Sequence, residues 1–333
     1  MTASEAHQSY IDERIFVAGH RGLVGSALTR KISEAGRGAL ILRSRDTLDL
    51  TNQSEVADFF SLERPEVVIL AAAKVGGILA NLRNPVEFLE TNLRIQLNVI
   101  SAAASHGVSK FIFLGSSCIY PRDCKQPIKE EYLLTDVLEP SNRGYALAKI
   151  TGIELCNSYN RESGTQFVSL MPTNLYGIGD NYSPEGSHVI PGLIRRIYEA
   201  KVKGLDSVTI WGTGAPRREF LFSEDLADAC LFVLDNMTEV HNHLQEKLTI
   251  PVLNIGSGQE VSIREIALTI CNIIGFGGRL EFDHSKPDGT PRKWLDTKTM
   301  SDLGWTASTP LEAGLKLAYQ DFCQRYGSEI ENR

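Results

Sequence analysis

The chain has 333 residues, 42% hydrophobic and 23% charged, long and apolar enough to bury a full core, which excludes disordered and fibrous readings. A formal net charge of -7 gives no broad basic field for nucleic acid, so any phosphate has to be held by local groups. No apolar stretch reaches membrane-span length, residues 1–12 lack the basic start and apolar middle of a signal peptide, and the six cysteines have no zinc-type spacing. A cytoplasmic protein with free thiols and no metal is expected.

Apolar runs alternate with helical periods from the start. Strands are expected over residues 14–18, 38–42, 66–70, 110–114 and 166–171, and helices over 22–35, 53–62, 85–106 and 144–159. This βαβ rhythm predicts an α/β fold, a Rossmann-like doubly wound parallel sheet with ligands at the carboxyl ends of the strands. The segment 85–106 carries apolar residues on more than one face, which fits packing on the sheet or pairing with a second subunit through a helical bundle. After Tyr176 the rhythm loosens. Strands at 207–211 and 252–255 lie among helices near 188–201, 223–234, 262–274 and 311–326. The expected division is a dinucleotide-binding domain over 13–175, with a returning strand near 251–256, and a smaller α/β substrate lobe over 176–330.

Gly19, Gly22 and Gly25 follow the strand Ile15-Phe16-Val17-Ala18 and open a helix, the context a dinucleotide turn requires. Backbone amides at the helix start would cradle a pyrophosphate. The second strand ends Leu42-Arg43-Ser44-Arg45, and Arg21 lies in the glycine turn, so Arg21 and Arg45 are placed to clasp a 2′-phosphate, favouring NADP. Asp46 is the residue that argues for NAD. Farther on, Tyr145 and Lys149 stand one helical turn apart, where an ammonium would favour the phenolate and lower the phenol's pKa toward a working value. A phenol tuned in this way passes a proton to a carbonyl oxygen while hydride reaches carbon, and Ser116 offers a hydroxyl to the same oxygen. Cys118 ends the same strand two residues later, and His188 opens a helix. Cys156, Cys230 and Cys271 fall in apolar helical patterns and read as core.

Through these residues, and through Ala71-Ala72-Ala73-Lys74-Val75-Gly76-Gly77, Leu114-Gly115-Ser116-Ser117-Cys118-Ile119-Tyr120-Pro121, Met171-Pro172-Thr173-Asn174-Leu175-Tyr176-Gly177 and Lys286-Pro287-Asp288-Gly289-Thr290-Pro291-Arg292-Lys293, the chain resembles the GDP-L-fucose synthase family of extended short-chain dehydrogenase/reductases almost end to end. The resemblance implies a bifunctional NADPH-dependent enzyme, usually a homodimer, that converts GDP-4-keto-6-deoxy-D-mannose to GDP-L-fucose by 3,5-epimerisation and reduction at C4. It implies Ser116, Tyr145 and Lys149 as the reductase triad and Cys118 and His188 as the epimerisation acid/base pair. It places NADP against Gly19, Arg21, Gly22, Leu23, Val24, Gly25, Arg45, Leu114, Lys149, Pro172, Asn174, Leu175 and His188. It assigns the sugar nucleotide to Arg196, Trp211, Arg218 and Asp288.

The chain departs from the family pattern at Ile178-Gly179, at Asn142-Arg143-Gly144 and over 79–85, loops that bear on which sugar is taken. A 4,6-dehydratase would carry an Asp-Glu pair where Cys118-Ile119 stands, and a 4-epimerase would not need Cys118 or His188. Another sugar-nucleotide epimerase/reductase, or a non-catalytic NADP-binding regulator, are the remaining alternatives.

Overall fold

The computed structural model describes residues 13–184, 186–286 and 288–331; the signal-peptide reading of 1–12, and Pro287 of the Lys286–Lys293 motif, lie outside them. Strands β1 (Arg14–Ala18), β2 (Ala39–Ile41), β3 (Val67–Leu70), β4 (Lys110–Leu114), β5 (Phe167–Pro172) and β9 (Leu253–Ile255) form one parallel sheet in the order β2-β1-β3-β4-β5-β9. Parallel strands covered on both faces need continuous apolar runs, and Val67–Leu70 and Phe167–Pro172 are buried at every position. Strand succession reverses beside β1, which sets a ligand crevice at the carboxyl ends there.

Helices α1 (Leu23–Glu34), α2 (Gln53–Glu63), α3 (Ile78–Arg83), α4 (Pro85–Ser105) and α5 (Arg143–Ser163) belong to the first half of the chain. Val56, Phe60, Val99, Ile100 and Ile153 close one face of the sheet over Phe16, Phe111 and Phe113. Ala27, Leu28, Leu226, Val233 and Val240 close the other over Ile15, Val17 and Ile69. Asn52 caps α2 by accepting from the Ser54 and Glu55 amides.

Beyond β6 (Asn174–Tyr176) the chain forms α6 (Val189–Val202), β7 (Ser207–Trp211), β8 (Arg217–Phe222), α7 (Ser223–Asp235) and α8 (Met237–Lys247). After β9 come β10 (Glu260–Ser262), α9 (Ile263–Ile274), β11 (Arg279–Asp283), β12 (Arg292–Lys293), α10 (Lys298–Asp302), α11 (Leu311–Phe322) and α12 (Ser328–Glu331). A third core gathers Ile190, Leu193, Ile197, Ile210, Ile266, Ile270 and Phe322. In a small second sheet β8 pairs with β6 and β12 in parallel and with β10 antiparallel, and in a separate two-stranded sheet β7 pairs with β11 in parallel. α9 starts with a complete capping box, Ser262 and Glu265 each satisfying the other's backbone amide.

The sequence expectation lacks several elements, β6, β10, β11, β12, α3 and α10 among them, and β8 and α8 show the reasons. Strand β8 is absent from it, because Arg-Arg-Glu-Phe-Leu-Phe opens with three charged residues, yet Glu219 is 0% exposed. Helix α8 is absent too, its sequence Met-Thr-Glu-Val-His-Asn-His-Leu-Gln-Glu-Lys offering only Met237, Val240 and Leu244 to the core. Among the described residues no helix is long and apolar enough to cross a membrane.

Candidate active site

The turn from β1 into α1 carries Gly19, Arg21, Gly22, Leu23, Val24 and Gly25. Gly19 has φ +88°, which favours glycine, and the Gly22 amide donates to the Gly19 carbonyl at 3.0 Å. A Cβ on Gly25 would collide with that same carbonyl, and one on Gly19 would come within 2.7 Å of the Ala72 amide nitrogen. The cap residue Gly22 contributes no side-chain bond, so the first amides of α1 face a bare backbone cradle. That is the surface a pyrophosphate fits.

Burial and the neighbouring Arg21 hold the His20 imidazole below its ordinary pKa, opposed by a backbone hydrogen bond at Arg43. This contact brings the glycine turn beside the end of β2, where the exposed Arg45 follows. Arg43, by contrast, is tied to Glu63 and lies over the Phe59 ring. Among the described residues neither Arg21 nor Arg45 is in a salt bridge. Pro172 ends β5 opposite Ile255, and Asn174 and Leu175 lie in β6, where the Asn174 amide donates to the Glu219 carbonyl at 2.9 Å.

At the end of β4 the chain turns through a short 3-10 segment, Ser117–Ile119, and Ser116 caps it by accepting from the Cys118 amide at 3.3 Å. Tyr145 and Lys149 stand on α5 against this turn. Lys149 is 3% exposed; its ammonium donates to the Leu114 carbonyl at 2.7 Å and lies 4.9 Å from the Phe113 ring centre and 5.9 Å from that of Tyr145. Burial lowers its pKa to about 7.

The expected lowering of the Tyr145 pKa is overturned. Burial raises it well above the phenol's usual value, the nearby Cys118 sulfur adds to the rise, and a hydrogen bond with Ser116 opposes it. The cause is the phenol's own desolvation, which the one-turn spacing does not convey, while the Lys149 ammonium is directed at a backbone carbonyl. Tyr145 is therefore held as the protonated phenol.

Cys118 is half-buried. Burial pushes its thiol up, but the Lys293 charge and hydrogen bonds from Ser116, Lys293 and Asn142 outweigh that and bring the pKa below the usual thiol value. Lys293, 3.6 Å from the sulfur, belongs to the Lys286–Lys293 motif, in which the sequence points to no function for it. Asn142 stands out in the sequence only as a departure from the family pattern. The signal for Lys293 existed, a cation beside Arg292 in a segment shared with the family; its partner 175 residues earlier did not show in the spacing.

The other expected residues lie on the second lobe's elements. His188 precedes α6 without making a side-chain cap, and partial burial lowers its imidazole's pKa. Among the described residues no hydrogen bond joins it to the Ser116, Cys118, Tyr145 and Lys149 group. Arg196, on α6, donates to the Gly192 and Thr209 carbonyls at 3.2 and 3.3 Å. Trp211 ends β7 59% exposed, with the Lys286 ammonium 5.7 Å from its ring centre. Arg218 donates to the Arg217 carbonyl at 2.8 Å, and burial lowers its pKa against the Asp288 charge. Asp288 accepts from the Thr213 amide and hydroxyl at 2.9 and 2.7 Å, so its carboxylate fixes the turn between β7 and β8. Cys156, Cys230 and Cys271 are buried.

A glycine cradle at the first crossover of a parallel sheet, with serine, tyrosine and lysine gathered at the fourth strand's end, defines a nicotinamide-dependent oxidoreductase of the short-chain type. The chain belongs to the NAD dependent epimerase/dehydratase family, whose model matches residues 15–256. It is 54% identical over 306 residues to GDP-L-fucose synthase 1 of Arabidopsis thaliana, covering 92% of each chain. It is 49% identical over 312 residues to GDP-L-fucose synthase of Escherichia coli (strain K12), covering 94% of this chain and 97% of that one. Among solved structures, a GDP-L-fucose synthetase from Naegleria fowleri bound to NADP superposes with a TM-score of 0.83 at 30% identity, over 95% of this chain and 96% of that one.

Proposed function

We propose that the chain is a bifunctional NADPH-dependent epimerase-reductase that converts GDP-4-keto-6-deoxy-D-mannose to GDP-L-fucose. The observation that carries this is the gathering at the end of β4 of Ser116, which accepts from the Cys118 amide at 3.3 Å, with a thiol and a phenol whose pKa values it lowers in both cases, so that the two share one oxygen-binding corner. Relatives bearing the GDP-L-fucose synthase name at 49–54% identity support the substrate.

The ketone oxygen at C4 sits between the Ser116 and Tyr145 hydroxyls in this reading. Hydrogens on C3 and C5 are acidic because their removal gives an enolate whose charge lies on that oxygen, and both hydroxyls donate to it. Cys118 and His188 divide the work at each centre, one taking the proton and the other returning one to the opposite face. Bound NADPH supplies hydride to C4. Tyr145 gives its phenolic proton to the C4 oxygen, which suits a phenol kept protonated by burial. The partial charge of Lys149 then favours the phenolate left behind.

The Gly19–Gly25 turn, Leu114, Lys149, Pro172, Asn174, Leu175 and His188 would hold the dinucleotide, with Arg21 and Arg45 on the 2′-phosphate. Arg196 and Arg218 suit the substrate's diphosphate, since both are cations in partly desolvated places, and Trp211 suits an apolar ring face. Residues 13–175, with the returning strand near 251–256, are read as the cofactor domain and 176–330 chiefly as the substrate lobe. The working form is a cytoplasmic homodimer.

Purified protein is expected to oxidise NADPH with GDP-4-keto-6-deoxymannose, to give product inverted at C3 and C5, and to act at least about tenfold less well on the dTDP-linked analogue. Cys118→Ser should lose solvent exchange at C3 and C5, while Tyr145→Phe should chiefly lose reduction. NADPH binding without turnover of either sugar would replace this reading with a binding protein.

A further inference from the structure

The strand β12 reaches the active site from the far end of the chain, and nothing in the triad or in the epimerisation pair requires it. Its residue Lys293 stands opposite Arg218 in the register with β8. The following backbone is pinned from two sides: Leu295 donates to the buried Glu219 carboxylate at 3.1 Å, and the Trp294 carbonyl accepts from Ile128 at 2.7 Å. Trp294 also donates to the Gln126 side chain at 2.8 Å. A lysine on so constrained a segment loses little further freedom in holding one position.

From that position the ammonium lies 3.6 Å from the Cys118 sulfur. Among the described residues Lys293 is in no salt bridge, so no carboxylate competes for it. We propose that Lys293 is a positioning residue for the epimerisation half of the reaction, holding Cys118 as an aimed thiolate ready to take a proton from the carbon next to the ketone. This rests on the proposed function for its substrate but not for its physical content.

The division of labour explains a pairing that is otherwise awkward. A thiol in a pocket that also holds a buried phenol would be driven toward its neutral form, and a neutral thiol removes protons poorly. The groups facing the sulfur are Ser116 and Asn142 as donors, Lys293 as the cation and the Tyr145 phenol, which is neutral and adds no charge. Cys124 also feels the Lys293 charge, but burial dominates there and raises its pKa, so it serves as an internal comparison. Thiolate at Cys118 then supports the phenol at Tyr145: the sulfur's negative charge helps keep the phenol protonated for the later step.

The test follows the rate of alkylation of Cys118 by iodoacetamide in the full chain against pH, each cysteine resolved by peptide mass spectrometry and Cys118→Ser as the control. In the unsubstituted protein the midpoint should fall below the free-thiol value of about 8.5. Lys293→Met and Lys293→Gln should raise it by about one unit, slowing alkylation roughly tenfold near neutral pH, while Lys293→Arg should restore it. Cys124 should move less than Cys118. With the 4-keto sugar, the neutral variants should lose exchange at C3 and C5 in kcat rather than in KM. A midpoint at or above 8.5 in the unsubstituted protein would overturn the proposal whether or not the variants fold. An unchanged midpoint in folded Met and Gln variants would overturn it too, as would a defect confined to KM, which would make Lys293 a substrate contact instead. No exchange in the unsubstituted enzyme, with the alkylation pattern intact, would defeat the assigned reaction and leave the thiolate pairing standing.

Discussion

Lys149 is a lysine whose folded environment works against its charge. Its ammonium donates to the Leu114 carbonyl, and burial brings its pKa from the ordinary lysine range to about 7. A lysine with a depressed folded pKa binds fewer protons in the native state than in the unfolded chain between about 7 and 10.5, so stability rises with pH across that window. The penalty is greatest below the folded value and fades as pH approaches the unfolded one. Lys149→Met is therefore expected to raise stability by about 2 kcal/mol at pH 6, the lost carbonyl bond offsetting part of the relief, and by much less at pH 9.5. Urea denaturation of both proteins at the two pH values checks this; an equal difference at both would mean that the lysine is not charged-and-buried at pH 6. The same substitution should remove most of the reduction, so a more stable protein with a weaker reductase is the combined expectation.

At the scale of elements, the second sheet is organised around a carboxylate that no hydrophobic pattern announces. Glu219 lies fully buried on β8, accepts from Gly258 at 2.8 Å and from Leu295 at 3.1 Å, and its own carbonyl receives Thr173 and Asn174. One residue thus joins β8, the turn before β10 and the segment after β12. Burial raises its pKa, against the several amides that stabilise the charge. Glu219→Ala leaves the buried Leu295 amide and the part-buried Gly258 amide without their acceptor and is expected to destabilise by about 2 kcal/mol after the relief of a buried charge, with the Cys118 alkylation midpoint rising as β12 loosens. A urea midpoint within error of the parent, with Cys118 unaltered, would detach β12 from this anchor. The same residue explains what could and could not be read from the sequence. Strands such as Val67–Leu70 declare themselves because both faces are covered, and the glycine turn declares itself because backbone geometry fixes its spacing. Arg217–Phe222 does not, since its buried glutamate is satisfied by residues far along the chain, among them Gly258 and Leu295, 39 and 76 positions away. Ser116, Cys118, Tyr145 and Lys149 were legible as a local series, whereas Lys293 and Asn142 acquire meaning only when the thiol's surroundings are assembled. The error over the Tyr145 pKa has the same origin: helical spacing conveys proximity and says nothing about desolvation.

At the scale of the whole molecule, α4 and α5 form the surface on which the proposed homodimer depends. The two helices lie along each other, with Gly144 against Pro85 and Leu89 and with Gly152 against Gln96 and Phe113, where the absence of a Cβ allows the close approach. Their inner faces cover the sheet, through Val99, Ile100 and Ile153. Their outer faces nevertheless carry Leu97 at 56% exposure and Leu147 at 38%, with Val86 at 70% near the start of α4. Two such helices meeting the same pair from a second copy about a twofold axis would bury these residues in a bundle, the commonest closed arrangement for a chain with one self-complementary face. Introducing a carboxylate at the centre of that contact forces its desolvation without a partner. Leu97→Glu combined with Leu147→Glu is accordingly expected to weaken association by about 3 kcal/mol or more, roughly a hundredfold in dissociation constant, turning a two-chain species into a one-chain species at micromolar concentration. Sedimentation velocity at several loading concentrations measures it, with NADPH binding as the check that the sheet and its cradle remain folded. A two-chain species that persists in the double variant would move the interface elsewhere, and a single chain in the parent would remove the dimer, leaving in either case the chemistry at Cys118 and Tyr145 where it is.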